Sequence, residues 1–208
     1  MLKYKVLASQ LTSLTDARFF AAHGVDWVSF LLTPDYDSSV DLKQLPEIKN
    51  WIEGPAVIGQ FIQPSKKEIE EAIVLYDLEG IWVDADTSLE TIQDGFSVPV
   101  FKEVWVDSEN NLEQTIEWSA PFVDYFILKI PTDFDTSGEQ AQNIQALCDT
   151  FEIILDTVET DNLNPNIINN LLPTGIVANA TQAKEEAIGI KSFEALEPLF
   201  EFLQDETD

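Results

Sequence analysis

Residues 5–32 read KVLASQLTSLTDARFFAAHGVDWVSFLL. Short apolar runs stand at both ends, and between them lies a stretch whose apolar residues recur at helical spacing up to His23 and Gly24. One strand, one turn, one helix and a second strand are therefore contained in 28 residues. His23, beside the glycine that ends the helix, is expected to serve as a helix C-cap and not as a catalytic base.

The same alternation continues along the chain. Strands are predicted at 4–9, 26–32, 56–62, 80–86, 98–107, 123–129, 151–156 and 174–180. A helical segment follows each, from TDARFFAAHG after the first to KSFEALEPLFEFLQ after the last. Nearly continuous apolar strands followed by helices fit parallel strands buried on both faces. Eight such units close into a (β/α)₈ barrel, in which chemistry sits at the C-terminal ends of the strands and in the loops beyond them. An open doubly wound sheet competes, but no G-x-G-x-x-G turn follows the first strand and the pattern does not change halfway. No linker interrupts the chain, so the expectation is α/β, a single-domain barrel over residues 1–204, with an acidic tail at 205–208.

Composition narrows the function. Eleven Lys and Arg against 38 Asp and Glu give a formal charge of −27. No basic face is available to displace counterions, which argues against nucleic acid or an anionic membrane as partner. High solubility is the plainest reading of so much negative charge. No apolar run approaches the ~18 residues that span a bilayer, and MLKYKV lacks the features of a secretory signal, so the expected location is the cytoplasm. Cys148 is the only cysteine; it excludes an internal disulfide and reads as a small buried apolar residue. No metal site or cofactor is predicted from Cys or His clusters.

The first unit resembles the opening of phosphoribosylanthranilate isomerases, which has the form K-[IV]-C-G-[IL]-T-x-x-x-D-A, then a helix, G-[AV]-D and a hydrophobic strand. Thr12, Asp16, Ala17, Gly24, Val25 and Asp26 fall in register. AVIGQFIQPSKKEIEEAIVLYDLEGIWVD, VDYFILK, NLNPNI and GIKSFEAL resemble later segments of the family in order. The resemblance implies a barrel and an Amadori rearrangement of an aminoaldose phosphate in tryptophan synthesis. That reaction uses a cysteine base ending the first strand, an aspartate acid ending the sixth, and glycine-rich phosphate loops after the seventh and eighth.

The sequence departs from the family at each of these points. Ser9 stands where the cysteine belongs and Gln10 where its glycine follows; a serine hydroxyl is too weak a base to replace a thiolate unaided. Lys129 takes the position of the acid. Trp82, Val83, Asp84 and Ala85 replace Q-L-H-G, and Asp35 and Asp37 lie where an arginine loop is expected. The seventh-strand loop offers Asp156, Glu159 and Asp161 without glycine, and the eighth runs through Asn179, Ala180 and Thr181. Carboxylates there occupy and repel the space of a phosphate.

The leading reading is thus an isomerase-like barrel that has lost the family reaction and binds an unidentified small molecule or protein, in an oligomeric state the sequence does not reveal. Two alternatives stand beside it. One is an enzyme of different chemistry built on Lys129, as an imine-forming amine, with the mouth residues Asp84, Asp107 and Asp156. The other is a retained isomerase. Lys129 as the cation of an ion pair is the plainer role, and Asp84, Asp107 and Asp156 gathered about Mg²⁺ or Ca²⁺ a further one. Trp82, Trp105 and Trp118 read equally as core or interface.

Overall fold

The apolar runs form strands close to their expected limits, the largest difference being the fourth, expected to reach 86 and ending at Val83. The computed structural model describes residues 2–36, 38–106, 111–131, 134–157, 165–187 and 190–204. Eight strands, β1 (Lys5–Ser9), β2 (Trp27–Leu31), β3 (Ala56–Phe61), β4 (Gly80–Val83), β5 (Val100–Trp105), β6 (Tyr125–Ile130), β7 (Ile153–Thr157) and β8 (Gly175–Asn179), pair in chain order, all parallel. β8 returns to β1 over five register pairs, from Lys5 with Gly175 to Ser9 with Asn179. The sheet is closed, and the fold is a single-domain (β/α)₈ barrel.

Alternation along each strand divides the core in two. Leu7, Ile58, Trp82, Phe101, Ile127, Ile154 and Val177 fill the barrel, while their strand neighbours Val6, Val57, Val83 and Leu155 pack outward under the helices. Burial on both faces is why these strands read as continuous apolar runs. At the N-terminal end the barrel is plugged by aromatic rings: Phe101 stacks on Tyr125 at 4.6 Å, and Trp27 meets both edge-on. The Lys5 ammonium lies 5.4 and 5.3 Å from the Trp27 and Tyr125 rings, a cation held on aromatic faces. Closure also needs Gly175, because a Cβ there would stand 2.7 Å from the Lys5 carbonyl oxygen.

The same end carries a repeated device. Asp26, one residue before β2, accepts the Val6 N–H at 2.9 Å through its carboxylate and donates its own N–H to the Val6 carbonyl. Glu79 before β4 does the same with Val57, and Asp124 before β6 with Val100. Each carboxylate supplies an acceptor to a strand-end N–H that would otherwise be left unmatched.

Helices α1 (Leu14–Ala22), α2 (Leu45–Asn50), α3 (Lys66–Tyr76), α4 (Leu89–Ile92), α5 (Leu112–Ser119), α6 (Glu139–Cys148), α7 (Pro165–Leu171) and α8 (Glu197–Leu203) form the outer layer. Ser13 with Asp16 and Ser65 with Glu68 close reciprocal capping boxes at α1 and α3. His23 caps α1 as expected, its Nδ1 2.9 Å from the Phe19 carbonyl oxygen. The stretch after β8 departs from expectation. Instead of a loop leading to a helix at 191, it contains the antiparallel pair β9 (Lys184–Ala187) and β10 (Ile190–Ser192), and α8 starts only at Glu197, with Pro198 in its first turn. No described helix is long and apolar enough to cross a membrane.

Candidate site at the C-terminal mouth of the barrel

Parity fixes which strand-end residues face inward. Ser9 lies two residues beyond Leu7, Gln60 beyond Ile58, Glu103 beyond Phe101, Lys129 beyond Ile127, Asp156 beyond Ile154 and Asn179 beyond Val177. All six therefore share the inner face above the apolar interior. Ser9, Asp84, Lys129, Asp156 and Asn179 thus all sit at the C-terminal rim. Asp107, Asp37, Glu159 and Asp161 lie outside the described residues.

Lys129 and Asp156 are register partners on β6 and β7, and their Nζ and Oδ2 atoms are 2.5 Å apart. Asp156 also accepts the Thr157 N–H at 2.8 Å. Burial pushes the Asp156 carboxyl up, and the Lys129 ammonium and the Thr157 N–H pull it part of the way back. Lys129 is thereby paired with a carboxylate on the neighbouring strand. The Trp82 ring lies below it, with Nζ 6.0 Å from the ring centroid.

Ser9 is 1% exposed and makes no hydrogen bond through its hydroxyl to any described residue. Among the described residues no base is hydrogen-bonded to it. Gln10 keeps a backbone φ of 56°, the left-handed region that the glycine of the resembling motif would adopt without strain.

Asp84 is a loop brace. Its Oδ1 accepts the Gln63 N–H at 2.9 Å and the Thr87 hydroxyl. Beneath it is a residue the sequence reading did not single out: Lys102, 5% exposed, points out of the barrel and donates to the carbonyls of Asp84, Ala85 and Thr87 at 3.3, 3.2 and 2.9 Å. One ammonium thus replaces the missing partners of three turn carbonyls, while burial pulls the Lys102 ammonium below its ordinary value. Glu103 was missed as well. It is 8% exposed, has no hydrogen bond or ion pair with a described residue, and is pushed up by burial against the opposing field of Lys129. Alternation within VFKEVW was the available signal, since it sets a glutamate on the face occupied by Phe101.

The motif residue Asp16 proves to be architectural. It is fully buried, takes the N–H groups of Thr12 and Ser13 and the Ser13 hydroxyl, and receives the Lys191 ammonium at 2.7 and 2.9 Å. Lys191, Gln10, Thr12, Tyr36 and Thr181 line a cavity of about 530 Å³ beside β1 and β8. Its ammonium is spent on Asp16, and the Thr181 N–H and hydroxyl are both taken by Asn179 Oδ1, at 2.9 and 2.7 Å. The Lys191 ammonium and the Thr181 N–H are thus both engaged within the protein. Among the described residues no His, Cys, Asp and Glu group is arranged to hold a metal ion.

No protein-family profile and no curated protein matches the sequence. Solved structures do match its fold. A phosphoribosylanthranilate isomerase in complex with reduced 1-(o-carboxyphenylamino)-1-deoxyribulose 5-phosphate superposes with a TM-score of 0.77 at 19% identity, over 96% of this chain and 98% of that one. The phosphoribosylanthranilate isomerase from Thermus thermophilus gives 0.75 at 21% identity, with the same coverage. Orotidine 5′-monophosphate decarboxylase from Methanocaldococcus jannaschii gives 0.65 at 15%, over 99% and 100%. The chain has a phosphoribosylanthranilate isomerase-like fold.

Proposed function

We propose that this chain is a phosphoribosylanthranilate isomerase-like barrel that no longer performs the isomerisation and uses its mouth for binding. The observation that carries this reading is the Lys129–Asp156 ion pair at 2.5 Å, in the place where the resemblance calls for a general acid. An ammonium locked to a carboxylate is a poor proton donor at neutral pH. The buried Ser9 hydroxyl is no substitute for a thiolate. Lys191 and the Thr181 N–H, on the β8 side, are bound within the protein. Loss of a general acid or base costs about 10² to 10⁴ in rate each, and loss of substrate positioning adds several kcal/mol to the barrier.

The test is growth of a bacterial strain lacking phosphoribosylanthranilate isomerase on medium without tryptophan. The unmodified chain should not support growth. Ser9→Cys with Lys129→Asp should also fail, because the sequence after the seventh strand stays acidic and without glycine and the new carboxylate adjoins Asp156. Growth with the unmodified chain would overturn the reading, and growth with the double variant alone would show that a phosphate site persists.

A further inference from the structure

Charge is spread unevenly over the helix layer. From Glu103 to Ala183 the sequence has a single cation, Lys129, and that one is paired inside the mouth. Helices α5 and α6 therefore carry no positive side chain, in contrast to α3, where Lys66 and Lys67 meet Glu70 and Glu71 one turn on. Between α5 and α6 runs an open groove of about 650 Å³. Its floor is apolar: Leu147 is buried, Leu112 and Phe151 are half-buried, and the exposed Ala146 adds only a methyl group. Its banks are acidic. Glu113 and Glu117 stand one turn apart on α5, Glu139 opens α6 on the other side, and none of the three is in an ion pair with a described residue. An amphipathic helix complements such a trough when its apolar residues at i, i+3 or i+4 and i+7 face the floor. Ammonium or guanidinium groups flanking that stripe are then drawn to the banks.

We propose that the groove between α5 and α6 docks a basic amphipathic helix of a partner protein. Helix α6 has 10 residues and so is about 15 Å long, room for nearly three turns of a helix laid along it. The i, i+4 spacing of Glu113 and Glu117 matches two lysines or arginines at the same spacing on the docked helix. A second copy of this chain is a poor occupant, because each copy brings a formal charge of −27 to the contact. Nucleic acid is repelled by the same sign of charge. The groove lies in the outer helix layer and not at the strand ends, so the inference goes beyond the reading of the mouth and does not rest on it.

The experiment is fluorescence anisotropy of the labelled peptide LKKLLKLLKKLLKL with the full chain in 150 mM salt. Its control is the diastereomer of alternating D and L residues, which has the same charge and composition and cannot form the helix. Saturable one-to-one binding of the helical peptide, at least tenfold tighter than the diastereomer, is expected. Ala146→Trp fills the groove without altering the charge and should weaken binding at least tenfold. Glu113→Gln with Glu117→Gln should weaken it severalfold and flatten its salt dependence. Glu70→Gln with Glu71→Gln removes the same charge from α3 and should leave it unchanged. All five positions are exposed, so the fold is not at stake in any variant. Equal binding of the two peptides would reduce the contact to bulk charge, unchanged affinity in Ala146→Trp would put it outside the groove, and an equal loss in the α3 variant would remove α5 from it; each overturns the proposal. A dimer of the parent that Ala146→Trp dissociates would overturn it too, by making a second copy the occupant. The growth test bears on the mouth alone, and the anisotropy measurement alone judges the groove.

Discussion

Replacing Lys129 by methionine isolates its ion pair with Asp156 at the barrel mouth. Nζ and Oδ2 are 2.5 Å apart, with side-chain exposures of 15% and 6%. At an effective dielectric constant of about 20 the attraction is about 7 kcal/mol, and desolvation of the two ions returns much of it. Methionine keeps the length and removes the charge, so Asp156 is left buried with only the Thr157 N–H. A carboxylate abandoned in this way costs about 3–5 kcal/mol, or about 10 °C in midpoint for a chain of this size. The pH dependence follows from the direction of the Asp156 shift. Its folded-state pKa is raised, so the stability tied to its proton is present below the unfolded value and is lost as pH rises through the folded value. Lysine removal raises that pKa further, so the penalty of Lys129→Met is greatest near pH 7 and shrinks toward pH 4. Urea denaturation at pH 7, 5.5 and 4 measures it. Adding Asp156→Asn, which keeps an acceptor for Thr157, should restore most of the loss. A penalty below about 1 kcal/mol with no pH dependence would refute the argument.

Three further outcomes are expected. Gln10→Gly relieves a left-handed backbone at φ 56° and should stabilise the fold by about 1 kcal/mol in urea denaturation, with no change in circular dichroism. Asp16→Ala removes a capping box and leaves Lys191 without its carboxylate; a loss of about 3 kcal/mol is expected from cap and ion pair together, read as a lower unfolding midpoint. The Cys148 thiol is pushed up to about 12, chiefly by burial, so iodoacetamide at pH 8 should leave the native protein unmodified and label it fully in denaturant.

The barrel was legible because its signal is redundant: eight apolar runs, each long enough for a buried strand, repeat one grammar over the whole chain. The antiparallel pair β9 and β10 was not, because KEEA and IKS are polar and short, and Gly189 between them was the only local cue. The site was legible in part. The first unit placed Ser9, and VDYFILK placed Lys129, near the ends of their strands, and the ion-pair role expected for Lys129 is the one found. The partner of Asp16 lies 175 residues away, and no local pattern announces a contact of that span. Asp84 reads as a reactive mouth residue in sequence, yet its Oδ1 is committed to the Gln63 N–H and the Thr87 hydroxyl. The orientation of Lys102 and Glu103, adjacent and facing opposite sides of the sheet, follows from period-two parity once β5 is fixed in register, and not before.

The paired bonds made by Asp26, Glu79 and Asp124 separate two kinds of inheritance. Each joins a carboxylate to a backbone N–H, a group that every residue but proline possesses, so positions 6, 57 and 100 can change identity without breaking the join. Only three acidic residues must persist for these joins, and all three stand at the end of the barrel remote from the mouth. Substitutions that dismantle a reaction at one end of a strand therefore do not undo the fastening at the other. Changes of chemistry at the mouth are therefore compatible with a barrel that still folds and keeps a preformed rim.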